Sequence, residues 1–483
     1  MRAAGKRSLG HAAAPAIFAR LLRRAAIEAR ANGEIVARVD GYSVVLGPFG
    51  VGVIDRLHEL RVGLPLDSLA SNNRNINKEI ELLIRRLAAH GLLEYRLARS
   101  PRADDLVVIE PQVSDYWPRM PQLGPEDKLV LSRFAYVRRR GDAMVLESPR
   151  AGALFRICDP MLTTLVATLS APRQIKDLRL QANSPGIGFL ALLADCQVVV
   201  DADMARGVGV REDGHDLAIW EFQDLLFHAR STAGRHANAV GGHYPHIGKI
   251  PPLPAVRPAW PGKQIVLGAL GEAAQGAGLS PVAKLLRERH STRNFDDQRP
   301  ITVAELSQFL EVTAHVLSRS DDLGAGDSEA TTVRPYPSAG ATYELELYLA
   351  AHSCEGLARG FYHYDAGAHA LTPIGAPADA FDALLAQAAQ AMGVHAAPQV
   401  LITIAARFGR VSWKYNSIGY ALILKDAGVL TQTLYLAAAE LRLGGCAIGI
   451  ANIDLFAKMT GLNFYIEGPV GQFALGRGLA TQR

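Results

Sequence analysis

The 483-residue chain changes rhythm near its middle. Up to about residue 203, short runs of apolar positions broken by glycine alternate with brief helical stretches. From Leu279 onward longer apolar runs take over. The first half holds a repeat, since Gly41/Gly141, Val45/Val145, Leu46/Leu146, Gly52/Gly152 and Arg56/Arg156 coincide when 38–57 is laid on 138–157. Each copy predicts a hairpin turning at its glycine and then a helix. A short helical piece follows (66–70; 174–180), then a longer helix (77–90; 186–195) and an apolar strand (92–97; 198–202). Strand pair, three helices and strand are the parts of a winged helix. The reading is therefore two winged-helix-like domains, 33–110 and 126–203, joined by a Pro-containing stretch over 110–125. Residues 1–32, rich in Ala and Arg, read as a frayed amphipathic helix or flexible segment, not a transit peptide. Residues 204–280 read as a connector that wraps the last domain. They include a helix with Trp220, Phe222, Leu225, Leu226 and Phe227, and a Gly/Pro-dense run over 241–261.

The domain 281–483 mixes both periods. Residues 281–290 read as helix. Residues 302–318 form a helix entered at Thr302, with Glu305 closing a capping box. Leu345, Leu347 and Leu349 alternate on a strand over 344–351. Segments 361–364 and 370–374 flank a hairpin. The continuous apolar run 400–406 fits a strand covered on both faces. Residues 427–443 form a long apolar helix that Gly444-Gly445 stops, and 469–475 is a last strand. The fold class is α+β.

At 49% hydrophobic and 20% charged, the composition is that of a globular chain. A net charge of +4 is too small to argue for nucleic acid. A winged helix does suggest DNA, and Asn77, Lys78, Arg85 and Arg86 sit on the longer helix of copy one. The second copy lacks their basic counterparts. Adding a peptide to the edge of the wing strands is another use of such a fold. Cys158, Cys196, Cys354 and Cys446 form no Cys-x-x-Cys pair and no zinc spacing. They read as reduced thiols of a cytoplasmic protein with no metal. No run of about eighteen apolar residues predicts a membrane span.

The densest chemistry lies at Arg289-His290-Ser291-Thr292-Arg293. Guanidinium forks and a hydroxyl in so short a segment suit a phosphate. Pro337-Ser338-Ala339-Gly340 is a small-residue turn that lets backbone approach a flat ligand. Gly444 to Gly449 is a second glycine-dense run. No Gly-x-Gly-x-x-Gly follows a strand, so a Rossmann dinucleotide site is not indicated.

Together the three segments resemble the nitroreductase superfamily of flavin enzymes. The resemblance implies that Arg289, His290, Ser291 and Arg293 bind flavin mononucleotide (FMN). It places Pro337, Ser338, Ala339 and Gly340 against the flavin, with Ser338 touching the ring across a homodimer interface. Gly445, Gly449 and Ile450 would supply backbone contacts, and Arg477 is a further phosphate candidate. A narrower likeness rests on residues 220–228 (Trp-Glu-Phe-Gln-Asp-Leu-Leu-Phe-His), Arg334-Pro335-Tyr336-Pro337-Ser338-Ala339-Gly340 and Gly360-Phe361-Tyr362-His363-Tyr364-Asp365. These are similar to the SagB-type azoline dehydrogenases, which include the cyanobactin and microcin oxidases. That branch implies a peptide substrate whose thiazoline or oxazoline rings are oxidised to thiazole or oxazole. It also implies a cyclodehydratase partner that makes those rings, and N-terminal domains that bind the peptide. Its Lys-Tyr pair is matched by Lys414-Tyr415. Aromatising an azoline removes a proton from one ring carbon and a hydride from its neighbour. A Tyr phenolate beside an ammonium, or an unprotonated Lys, can take the proton. Ala341, Ala421 and Val429 stand where the family or branch often shows Asn, Arg and His. Two other readings stay open: a same-fold reductase of small molecules using a nicotinamide donor, and a DNA-binding regulator with a flavin sensor domain.

Overall fold

The computed structural model describes residues 14–479, apart from 40–41, 71–73, 114, 181–183, 203–213, 236–245, 260, 268–278 and 321–329. The expected turn at Gly41 and much of the 204–280 connector lie outside the described residues. The chain divides into two compact units, Met1–Asn238 and Ala239–Arg483.

In the first unit a seven-stranded sheet has the order Leu64–Pro65, Ala16–Leu21, Leu93–Ala98, Val107–Pro111, Ala153–Ile157, Ala143–Glu147, Tyr136–Arg140. Val107–Pro111 pairs with a strand of each repeat copy. One sheet therefore crosses both copies, and one apolar cluster runs from Ile17 to Val199. Two expectations are corrected here. Ala16–Leu21 and Ala26–Ala29 are strands, not a frayed helix. The charge that marked this stretch as solvated is met at long range, since Arg20 pairs with Glu94 and Asp105. The helix expected after the second hairpin comes later, at Pro160–Thr168; a strand, Ala153–Ile157, precedes it, with Ala153, Leu154 and Phe155 buried against Val107–Pro111. The first copy does keep short helices there, Val51–Ile54 and Glu59–Val62. The later helices and strands of both copies form as expected: Leu66–Ala70, Arg74–Ala89 and Leu93–Ala98, then Ile175–Leu178, Pro185–Asp195 and Val199–Asp201.

Of the residues that suggested a DNA-reading helix, Lys78 is exposed and the other three are engaged within the protein. Asn77 is buried and donates to Leu69 O at 2.8 Å. Arg85 pairs with Glu81 and lies over the Trp117 ring. Arg86 lies over Phe49 and donates to Leu46 O. The helix Phe222–Ser231 buries His228, which stacks on Trp220 with ring centroids 5.4 Å apart. Burial pushes the His228 imidazole down to about 3.

The second unit is built on a six-stranded antiparallel sheet, ordered Ala370–Ile374, Gly360–Asp365, Leu345–Ala351, Val400–Arg407, Glu467–Gly476, Gly444–Ile448. Val400–Arg407 is buried over its first seven residues, as its unbroken apolar run predicts. On one face Phe473 meets Phe309 of the helix Val303–Ala314 and Tyr435 of the long helix Gly419–Glu440. On the other, Leu401, Ala405 and Ala474 pack with Phe381, Leu384 and Met392 of the helix Ala378–Met392. The Thr302–Glu305 capping box forms. That helix ends at Ala314 rather than 318, and the long helix begins at Gly419, well before 427.

Gly444-Gly445 is not a helix stop. Helix Gly419–Glu440 closes through Arg442, whose φ is 57°, and the two glycines open the strand Gly444–Ile448. They are small because neighbours press on them. A Cβ on Gly444 would lie 2.6 Å from Thr292 Cγ2, and one on Gly445 would overlap the Phe473 ring. Between His246 and Leu267 every described residue is exposed. Among the described residues no helix is long and apolar enough to cross a membrane, and no cluster is suited to a metal ion. The four cysteines are unpaired thiols.

Candidate active site

The basic segment leaves the helix Pro281–Glu288, which Ser280 caps at Ala283 N. The segment is then stitched to the sheet. Thr292 N donates to Gly445 O at 2.8 Å, Asp296 N donates to Arg477 O at 2.8 Å, and Phe295 bridges Gly478. Its organiser is Tyr435, which the sequence reading missed. The Tyr435 hydroxyl lies 2.8 Å from Ser291 Oγ and accepts Ala447 N–H at 2.8 Å. The Arg289 guanidinium carbon sits 5.0 Å above the Tyr435 ring. An aromatic hydroxyl amid the Leu and Ala of an apolar helix was the available signal. His290 is exposed, with Nδ1 3.0 Å from Glu288 O. Arg293 is exposed too and lies near Cys446. Burial raises that thiol, and the Arg293 charge partly offsets the rise.

Arg477, the further phosphate candidate, is paired within the chain. Its Nη2 lies 2.7 and 2.8 Å from the two oxygens of Glu305, so its guanidinium ties the last strand to the capping box.

The Pro-Ser turn is fixed from behind by carboxylates. Ala339 N donates to Asp426 Oδ2 at 2.8 Å. Ser338 Oγ lies 3.1 Å from Asp426 Oδ2 and 3.2 Å from Glu344 Oε2, and accepts Tyr343 N–H at 3.0 Å. Within the chain, Ser338 thus shapes the turn. Glu344 is fully buried, and its Oε1 has no hydrogen-bond partner among the described residues. Burial, then the Asp426 carboxylate, raise its carboxyl above the ordinary range. Gly340 has φ +59°, and Ala341 and Tyr343 are also left-handed, at 55° and 43°. Backbone strain of this kind gathers at functional sites.

Lys414 and Tyr415, far away in sequence, come to this turn. Lys414 Nζ donates to Gly340 O at 2.9 Å and sits 5.9 Å from the Tyr415 ring centroid. A Cβ on Gly340 would overlap Tyr415 Oη. The pair follows the short helix Phe408–Ser412, which Arg410 anchors by donating to Thr342 O. Lys414 is exposed and Tyr415 half-buried.

The long helix carries both halves of the site. Asp426 holds the turn and Tyr435 the basic segment; at 1.5 Å per residue these points are about 14 Å apart along the axis. Gly449 is exposed, and the space a Cβ would occupy there is open, so the backbone at Gly449 and Ile450 is approachable. Two guanidiniums and a hydroxyl at one end, and a strained turn with little side chain at the other, fit a phosphate-bearing flat ligand.

The model of the nitroreductase family matches residues 286–477, and that of the cyanobactin oxidase ThcOx matches residues 129–237. A protein of Methanocaldococcus jannaschii named as a nitroreductase is 32% identical over 165 residues, covering 34% of this chain and 76% of that one. A crystal structure of a nitroreductase-named protein from Ralstonia eutropha is 24% identical, covers 43% of this chain and 87% of that one, and has a TM-score of 0.32. The E. coli microcin synthetase McbBCD complex with truncated pro-MccB17 bound is 20% identical, covers 56% of this chain and 98% of the compared chain, and has a TM-score of 0.39.

Proposed function

Because the chain belongs to the nitroreductase family, we propose that it is an FMN-dependent dehydrogenase. Its reaction is the oxidation of thiazoline or oxazoline rings in a ribosomally made peptide to thiazole or oxazole. The observation that carries this reading is the meeting of Lys414 and Tyr415 at Gly340. A simple reductase needs only a flavin and an open face, whereas aromatisation also needs a positioned base. The match of residues 129–237 to the cyanobactin oxidase model supports a peptide substrate bound by the first unit.

Arg289, Ser291 and Arg293 would hold the flavin phosphate, and the backbone at Gly340, Gly449 and Ile450 would flank the ring. The flavin, when bound, supplies the hydride acceptor. The chain's own residues handle the proton. Tyr415 Oη takes it from the ring carbon, and the Lys414 ammonium, steered by Gly340 O, compensates the phenolate charge. The helix Pro281–Glu288 buries none of its residues and exposes Val282 and Leu286, a face that a second copy in a homodimer would cover.

The test is mass spectrometry of a cyclised peptide, in which each aromatised ring loses about 2 Da. Tyr415→Phe and Lys414→Ala are each expected to slow that loss by about 10²–10⁴. If both variants retain it at full rate, the catalytic assignment is wrong. If the purified protein binds no flavin, the whole reading fails.

A further inference from the structure

We propose that the first unit carries a docking pocket for an acidic stretch of peptide, an inference that rests on the peptide-substrate reading above. A cavity of about 660 Å³ opens between the strand Ala16–Leu21, the helix Glu59–Val62 and the loop 99–105. Five arginines line it: Arg20, Arg23, Arg61, Arg96 and Arg102.

The floor is balanced in charge. Arg20 Nη2 lies 2.5 Å from Glu94 Oε1 and 2.8 Å from Asp105 Oδ2, and Arg96 also pairs with Asp105. Arg96 is 2% exposed and grips the loop through its backbone, donating to Pro101 O at 2.7 Å and to Ala103 O. Arg102 therefore projects from a loop that a buried guanidinium clamps in place. The rim is not balanced. Arg23, Arg61 and Arg102 are exposed and have no ion pair among the described residues, and Asp104 is the only acid lining the rim.

Three uncommitted forks above a rigid, neutral floor suit carboxylates, each of which can take two parallel hydrogen bonds. The concavity has room for a few side chains. A duplex would instead need cations along a ridge, and the helix Arg74–Ala89, which would supply one, has Arg85 and Arg86 engaged within the protein. The fitting partner is an extended peptide with closely spaced Glu or Asp residues.

The experiment uses the full chain and fluorescence anisotropy. One labelled probe is a short peptide of alternating Glu and Gly; the other is its Gln counterpart. The Glu peptide is expected to bind at least about tenfold tighter, and the preference to shrink with added salt. Arg61→Glu combined with Arg102→Glu abolishes the preference, as does the milder Arg61→Gln with Arg102→Gln, whereas Arg139→Glu on an outlying strand leaves it intact. Equal binding of the two peptides, or an unchanged preference in both double variants, overturns the proposal. So does duplex DNA that binds more tightly than the Glu peptide and displaces it. A chain that selects the Glu peptide but oxidises no azoline keeps the pocket and loses the enzymatic reading; oxidation without charge selection has the opposite meaning.

Discussion

Replacing Gly340 by alanine tests the arrangement on which the proposed chemistry depends. The substitution acts twice. With φ at +59°, a side chain in the left-handed region costs about 1–2 kcal/mol. The new Cβ would also stand 3.0 Å from Lys414 Nζ and 3.2 Å from Lys414 Cε, and would overlap Tyr415 Oη. The lysine end can swing away cheaply, but the phenol must move. Displacement of a catalytic group by about 1 Å costs on the order of 10² in rate. Gly340→Ala is therefore expected to lower the melting temperature by about 2–8 °C and kcat by about 10², with KM little changed. Gly393→Ala is the control. It shares a positive φ, 72°, at the end of the helix Ala378–Met392, with nothing within 4 Å of its Cβ position. It should show the backbone cost alone and keep kcat. Peptide oxidation followed by mass spectrometry, beside thermal melting, separates the two. An unaltered kcat in Gly340→Ala would refute the argument that this turn positions the base.

Tyr435→Phe removes the hydroxyl that joins Ser291 to Ala447 N; each lost hydrogen bond is worth about 1 kcal/mol. Flavin affinity, read by fluorescence titration, should therefore fall about tenfold, and a change below twofold would show that Tyr435 does not organise the segment. Glu344 has a raised carboxyl, so the folded state holds its proton more tightly than the unfolded one. Its contribution is full below the ordinary carboxyl range and declines as pH rises through the folded value. Glu344→Gln should accordingly raise the urea midpoint at neutral pH but not in acid, and a gain independent of pH would sink the idea. His228, pushed down to about 3, has the opposite sense: the unfolded state binds the proton first, and stability falls on acidification. Between pH 6.5 and 5 the loss is about 2 kcal/mol. His228→Phe, which keeps a ring against Trp220, should flatten that slope, and an equal slope in both proteins would count against the assignment.

Local signals were the ones the sequence made legible. Thr302 and Glu305 announce a helix start because the cap is a contact between near neighbours. Val400–Arg407 announces a central strand because burial on both faces leaves no polar alternation. Misreadings arose where a distant partner changes what a residue means. Arg20 looks like a solvated position until Glu94 and Asp105 neutralise it within a sheet. Gly444 and Gly445 look like a stop until Thr292 and Phe473 show that they make room. In the site, the residue types were readable, but Tyr435 and Asp426, which hold the two ends, gain their roles only through contacts across the fold.

The long helix also limits how this protein can diverge. One residue inserted between Asp426 and Tyr435 would turn one anchor about 100° relative to the other. Either the Pro-Ser turn or the basic segment would then lose its hold. The residue count of that stretch is therefore constrained, beyond the burial of Leu430 and Leu434 on it. The helix thus works as a gauge that sets the distance between the turn and the basic segment.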